Sequence, residues 1–209
     1  MDLTKKFIIT INKEIGSGGR TIGERLAGRL GVNFYDKVLV RKLTARFNLS
    51  VDELEKAKAK KRSLFDDLTM ASAGRYLIDK PVRRGLSEPT SENIFRVESE
   101  FLRELAAEDS CVIAGRSGFY VFRHEPNTLR ILIQSPLENR VKRFMRRHGV
   151  SEAEARKTID EVDKQREIYT KNFSGTSRYD TRNYDLVLNV ADMTEDEAVN
   201  VIMTYIEKV

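Results

Sequence analysis

The sequence predicts an α/β fold, a parallel sheet wrapped by helices on both faces. Two observations carry this. Short apolar runs ("FIITIN", "VNFYD", "CVIAG", "LRILIQ" and "DLVLNV") recur along the chain. Between them lie segments whose apolar residues return every three or four positions, the period of a helix with one face buried. Strands that alternate with helices in this way belong in a parallel sheet covered on both sides. The chain has 209 residues, enough for one domain with sizeable insertions.

Taken in order, residues 7–12 read as the first strand and run straight into "EIGSGGRT". In "RTIGERLAGRLG", Ile22, Leu26 and Leu30 recur at helical spacing, and Gly31 supplies a stop. "VNFYD" reads as a short second strand. Residues 37–47 look helical, with Val38, Leu39, Leu43 and Phe47 on one side. Ser50 caps a lysine-rich helix, and the two prolines and glycine of 79–89 make a loop. A helix over 91–108 follows, its apolar stripe formed by Ile94, Val97, Phe101, Leu102 and Leu105. "CVIAG" and "LRILIQ" are strands. Residues 137–148 and 151–173 are helices, parted by Gly149, the second capped by Ser151. "DLVLNV" is the last strand, and Thr194 caps a closing amphipathic helix.

Composition narrows the function classes. Hydrophobic residues make up 40% and charged residues 33%, which describes a globular protein rather than a disordered one. No apolar run reaches the length of a membrane span, and the apolar start is too short for a secretory signal. With Cys111 the sole cysteine, no intrachain disulfide and no zinc cluster is expected, and the setting expected is cytoplasmic. A net charge of +5 suits an anionic partner of any kind. Nucleic acid is not expected, because the basic helices interleave acids and lack an aromatic platform.

In doubly wound sheets ligands sit at the carboxyl ends of strands. After the first strand come Gly16, Ser17, Gly18, Gly19, Arg20 and Thr21. The phosphate-loop pattern is a glycine, four residues, then Gly-Lys-Ser/Thr. Gly19 and Thr21 match its close, but Glu14 stands for the opening glycine and Arg20 for the lysine. Glycines that free backbone amides, a helix start, a planar cation and a hydroxyl placed to meet magnesium still form a phosphate-binding series. A plain strand–helix turn is the simpler alternative. Asp36 ends the second strand, where it either caps the next helix or meets a ligand. Arg41, five residues on, either reaches back toward an anion or is a surface charge. Gly115-Arg116 ends the third strand, and a phosphate or base contact is favoured there over a structural salt bridge. In helix 151–173 the stripe Ala155, Ile159, Val162, Arg166, Tyr169, Phe173 puts an arginine on the face expected to be buried. It snorkels, pairs with Asp163, or faces a cleft. Arg143, Arg146, Arg147 and Lys164 add to the same field or are solvated.

These residues resemble the cytidylate kinase-like family, a branch of the nucleoside monophosphate kinases. The resemblance rests on "ITINKEIGSGGRTIGERLAGRLG", "FYDKVLV", "CVIAGRSGFYVFRHEPN", "LRILIQSPLENRVKRFM" and "IDEVDKQREIYTKNF", and covers nearly the whole chain. It implies a three-layer P-loop kinase fold on a five-stranded parallel sheet. It also implies a helical monophosphate-binding insertion over about 37–89 and a helical lid over about 146–182. ATP phosphates would lie on Gly16 to Thr21, with magnesium at Thr21, and the acceptor near Asp36, Arg41 and Arg116. Arg20, with Asp163 and Arg166 of the lid, would serve catalysis. The implied reaction is phosphoryl transfer from ATP to a nucleoside monophosphate, CMP or dCMP favoured. The alternatives are a kinase of another small metabolite and a non-catalytic nucleotide-binding regulator. Three departures bear on this: the family's characterised cytidylate kinases carry the lysine loop, they have aspartate where this chain has Ser117, and residues 51–90 do not look like their cytidine-binding insertion.

Overall fold

The computed structural model describes residues 1–36 and 91–209; in the helix that opens the second stretch, side chains are described from residue 95 on, residue 97 excepted. The helices expected over 37–47 and after Ser50, the loop over 79–89, and Arg41 lie outside these residues.

The strands are β1 (Ile8–Lys13), β2 (Asn33–Tyr35), β3 (Cys111–Ala114), β4 (Thr128–Gln134) and β5 (Leu186–Asn189). They form one sheet in the order β2-β3-β1-β4-β5, every pair parallel. The helices are α1 (Gly19–Leu30), α2 (Ser91–Glu108), the short α3 (Gly118–Val121), α4 (Leu137–His148), α5 (Glu152–Ser174) and α6 (Glu195–Ile206), with a 3-10 turn at Thr181–Asn183. α3 and the 3-10 turn have no counterpart in the sequence reading; each is too short to show a period.

Side chains on β1 alternate between two layers, as the pleat requires. Ile9 and Ile11 point to one face and pack with Ile22 and Leu26 of α1 and with Ala198, Val199 and Ile202 of α6. Ile8 points to the other and packs with Phe101, Leu102 and Leu105 of α2 and with Val121 and Phe122. β1 and β3 are buried on both faces and read as nearly continuous apolar runs for that reason, whereas β5 at the edge of the sheet leaves Val187 exposed.

Helix ends follow the sequence signals. Gly31, Gly149 and Gly175 close α1, α4 and α5 in the left-handed conformation, each at φ 68°. At α5 the Ser151 hydroxyl accepts from the Glu154 amide at 3.3 Å, and the Glu154 carboxylate accepts from the Ser151 amide at 3.0 Å. Thr194 and Glu197 repeat this reciprocal cap at α6. α4 and α5 form a hairpin whose small core is Val141, Phe144, Ala155 and Ile159. Ile15, in the segment after β1, packs against that core, so the hairpin is seated on the loop it adjoins. No described helix is long and apolar enough to cross a membrane.

Candidate functional site: a glycine turn ringed by cations

Because β3 lies between β2 and β1 and all three are parallel, the segments after these strands meet at the carboxyl end of the sheet. The segment after β1 turns through Gly16 (φ 79°) and Gly18 (φ 84°), and Gly18 is the N-cap of α1. At Gly16 a side chain is excluded by space as well as by backbone angle; at Gly18 the backbone angle excludes it, the nearest atom being the movable end of Arg143. A Cβ at Gly16 would stand 2.8 Å from the Arg140 carbonyl oxygen, and one at Gly18 would stand 2.5 Å from the Arg143 guanidinium. Ser17 is buried and serves the turn itself, its hydroxyl donating to the Glu14 carbonyl at 2.9 Å. Among the described residues the amides of Gly16, Gly18, Arg20 and Thr21 have no hydrogen-bond acceptor. Such amides at a helix start are an anion site.

The loop is braced from behind. Asp163 of α5 is buried and accepts from the Ile15 amide at 3.2 Å and from Arg140 Nη1 at 2.5 Å. Arg140 also donates to the Ile15 carbonyl at 3.3 Å, and the Glu14 carboxylate takes the Ser135 amide after β4 at 3.0 Å. Asp163 is thus held within the fold as a bracket between hairpin and loop.

Arg20 Nε donates to Asp36 Oδ2 at 2.8 Å, and its Nη1 lies 3.5 Å from Glu24. The residue read as the loop's cation is therefore joined to the residue read as an acceptor ligand. Arg116 follows Gly115 (φ 85°) and precedes Ser117, and both non-glycine residues are left-handed, at φ 58° and 51°. Holding them so costs about 1–3 kcal/mol each, strain of the sort that collects at ligand sites. The salt bridge weighed against an anion contact for Arg116 is present: its Nη1 donates to the buried Glu98 at 2.7 Å. Tyr169 donates to the other Glu98 oxygen at 3.1 Å, and burial beside that carboxylate pushes its phenol upward in pKa. Arg166 keeps about a third of its side chain open, with Nη1 3.9 Å from Asp163. Desolvation and the neighbouring Arg178 lower its guanidinium to about 10.

Three basic residues at this site escaped the sequence reading. Arg178 is 2% exposed and donates Nη2 to Asn12 Oδ1 and to the Lys13 carbonyl. Arg140 braces the loop. Lys13, the last residue of β1, places its side chain under the loop, and burial lowers its ammonium to about 8, with Asp36 opposing the shift and Arg166, Arg178 and Arg116 adding to it. Only Lys13 left a signal in the sequence, its place at a strand end immediately before the glycines. Of the other charges expected nearby, Arg143 lies over Gly18 while paired with Glu195, and Arg146, Arg147 and Lys164 are exposed.

The sequence profile of the cytidylate kinase-like family matches residues 8–192. The chain belongs to that family. A cytidylate kinase of Methanopyrus kandleri is 26% identical over 201 residues, spanning 96% of this chain and 93% of its own. Among solved structures, an uncharacterized protein from Eubacterium ventriosum superposes with a TM-score of 0.71 at 23% identity, over 98% of this chain and all of that one. A shikimate kinase from Bacteroides thetaiotaomicron gives 0.56 at 14% identity, over 96% of this chain and 98% of its own. At such identities these likenesses speak to fold, which is that of the P-loop kinases. For a member of the cytidylate kinase-like family, the lysine-free loop with Gly19 and Arg20 is thus set in a kinase fold, and family and fold together support a nucleotide kinase.

Proposed function

We propose that the chain transfers the γ-phosphoryl group of ATP to a nucleoside monophosphate, CMP or dCMP. The observation that carries this reading is the convergence of Lys13, Arg116, Arg166 and Arg178 beside a turn whose amides have no partner among the described residues. Two polyanions brought together need this kind of surround.

In the proposed reaction a phosphate oxygen of the acceptor bonds to the γ-phosphorus as the bond to the β-phosphate bridging oxygen breaks. The electron pair leaves with ADP. The acceptor is already ionised, so no general base is required, and the protein's part is alignment and charge compensation. Amides of Gly16, Gly18, Arg20 and Thr21 would hold the donor phosphates. Arg116 would exchange Glu98 for the acceptor's phosphate, with Asp36 and Arg20 beside it as the second acceptor contact. Arg166 would compensate the group in transfer, and Asp163 would keep the loop and the hairpin in register.

Magnesium would neutralise phosphate charge when bound. The described residues contain no cluster of three or more histidine, cysteine or acidic side chains, and Thr21, half-buried in the first turn of α1, is the hydroxyl nearest that role. This donor set fits a cation carried in on the nucleotide, because magnesium keeps several waters and needs few protein ligands.

The test is ADP release from ATP and magnesium with CMP, dCMP, UMP, AMP or GMP as acceptor. Cytidine monophosphates are expected to give the highest kcat/KM. Turnover with none of the five would overturn the reading.

A further inference from the structure

Shifted by one residue, the phosphate-loop pattern puts its opening glycine at position 13 and its lysine at position 19. In this chain those positions hold Lys13 and Gly19, a lysine and a glycine exchanged; Gly18 matches the pattern, and Arg20 stands where it has serine or threonine, with the hydroxyl one residue later at Thr21. The structure brings the two together. A Cβ at Gly19 would stand 2.7 Å from Lys13 Cβ and 3.2 Å from Lys13 Cδ, so the lysine side chain fills the space beside Gly19. Its ammonium continues toward the end of β3 and lies 3.6 Å from where a Cβ of Gly115 would be. Gly19, unlike Gly16 and Gly18, has no positive φ, so it is bare because of Lys13 and not because of its own backbone.

The partners of the basic groups divide in the same sense. Arg20 is bonded to Asp36, Arg116 to Glu98, Arg140 to Asp163 and Arg178 to Asn12. Among the described residues Lys13 Nζ has no hydrogen bond and no carboxylate within 4.0 Å. A half-buried ammonium set among Arg116, Arg166 and Arg178, with Asp36 the nearby carboxylate, is costly until an anion arrives.

We infer that Lys13 is the phosphate-contacting cation of the loop, delivered from the strand into the space that Gly19 leaves open. This deepens the kinase reading and rests on it. Arg20 then acts beside the acceptor with Asp36, and the cation of the loop comes from the strand rather than from the helix.

The experiment compares wild type, Lys13→Met, Gly19→Lys and the double variant Lys13→Gly/Gly19→Lys. Calorimetric binding of ATP and of inorganic tripolyphosphate is measured beside steady-state transfer and thermal unfolding. Lys13→Met is expected to weaken both ligands by about 10- to 100-fold, the size of one charge-assisted contact. It should slow transfer by about 100-fold or more, with a melting temperature no lower than wild type. Gly19→Lys alone meets Lys13 and should lose binding; the double variant should recover at least about tenfold of the loss seen in Lys13→Met. Recovery cannot come from a lysine whose role is only to fill space. Wild-type affinity in Lys13→Met, or no binding of either ligand by the wild type, would overturn the inference. Strong lysine-dependent binding without transfer to any monophosphate would leave Lys13 standing and remove the kinase reading.

Discussion

Asp163 sets the scale of what one side chain holds in place here. Its two oxygens join the amide of Ile15 to Arg140, and Arg178 Nη1 lies 3.7 Å away with no hydrogen bond of its own among the described residues. Among the described residues, removing the charge would leave Arg178 with only neutral hydrogen-bond partners and Arg140 with the Glu14 carboxylate alone, 3.7 Å from its Nε, in a region where water does not replace the lost carboxylate. Breaking a buried pair from one side costs about 3–5 kcal/mol. Asp163→Asn is therefore expected to lose about that much stability in chemical denaturation. A loss of about 1 kcal/mol or less, the range of solvated pairs, would show that the bracket is not buried in energetic terms.

At the scale of elements, the question is what couples the α4–α5 hairpin to the acceptor side of the sheet. An aromatic cluster spans the gap. Phe95 of α2 stacks on Phe173 of α5 with centroids 4.7 Å apart and planes 7° from parallel, and Tyr169 meets Phe173 edge-on at 4.8 Å. Tyr169 then reaches Glu98, which holds Arg116. One helix thus touches the residue proposed for the acceptor and carries the arginine proposed for the transferred group. Phe173→Ala should cost about 1–3 kcal/mol from lost apolar burial and stacking. Hydrogen exchange is expected to quicken in the last turns of α5 while β1 is unchanged. Equal quickening in β1 would mean that the helix unfolds only with the core.

At the scale of the whole molecule, the cations gathered at the carboxyl end of the sheet make stability depend on pH. Lys13 titrates at about 8 in the folded chain, below the 10.5 of a free lysine. Between these values the unfolded state binds more protons, so stability rises with pH through that window. Below about pH 8 both states carry the proton and the cost of the buried charge is fully present. Other groups move too: Cys111 is pushed up to about 12 by burial and contributes in the opposite sense at high pH. The useful quantity is therefore wild type minus Lys13→Met. That difference should grow in favour of wild type from pH 7 to pH 10 in denaturation measurements. A flat difference would place Lys13 in an environment as wet as the unfolded chain.

The sequence by itself determined the elements and the turn. Continuous apolar runs marked strands covered on both faces, Ser151 and Thr194 marked helix starts, and Gly31 and Gly149 marked stops, because these signals act between residues a few positions apart. It also marked Gly16 to Thr21 as a tight segment opening a helix. The pairing of charges was settled only by tertiary structure. That Arg20 bonds Asp36, that Arg116 bonds Glu98, and that Asp163 faces Ile15 and Arg140 follow from β3 lying between β2 and β1 and from the hairpin resting on Ile15. Local patterns carry no information on which of many arginines meets which carboxylate. Packing order does, and it drew Arg20 to the rim while leaving Lys13 beneath the loop.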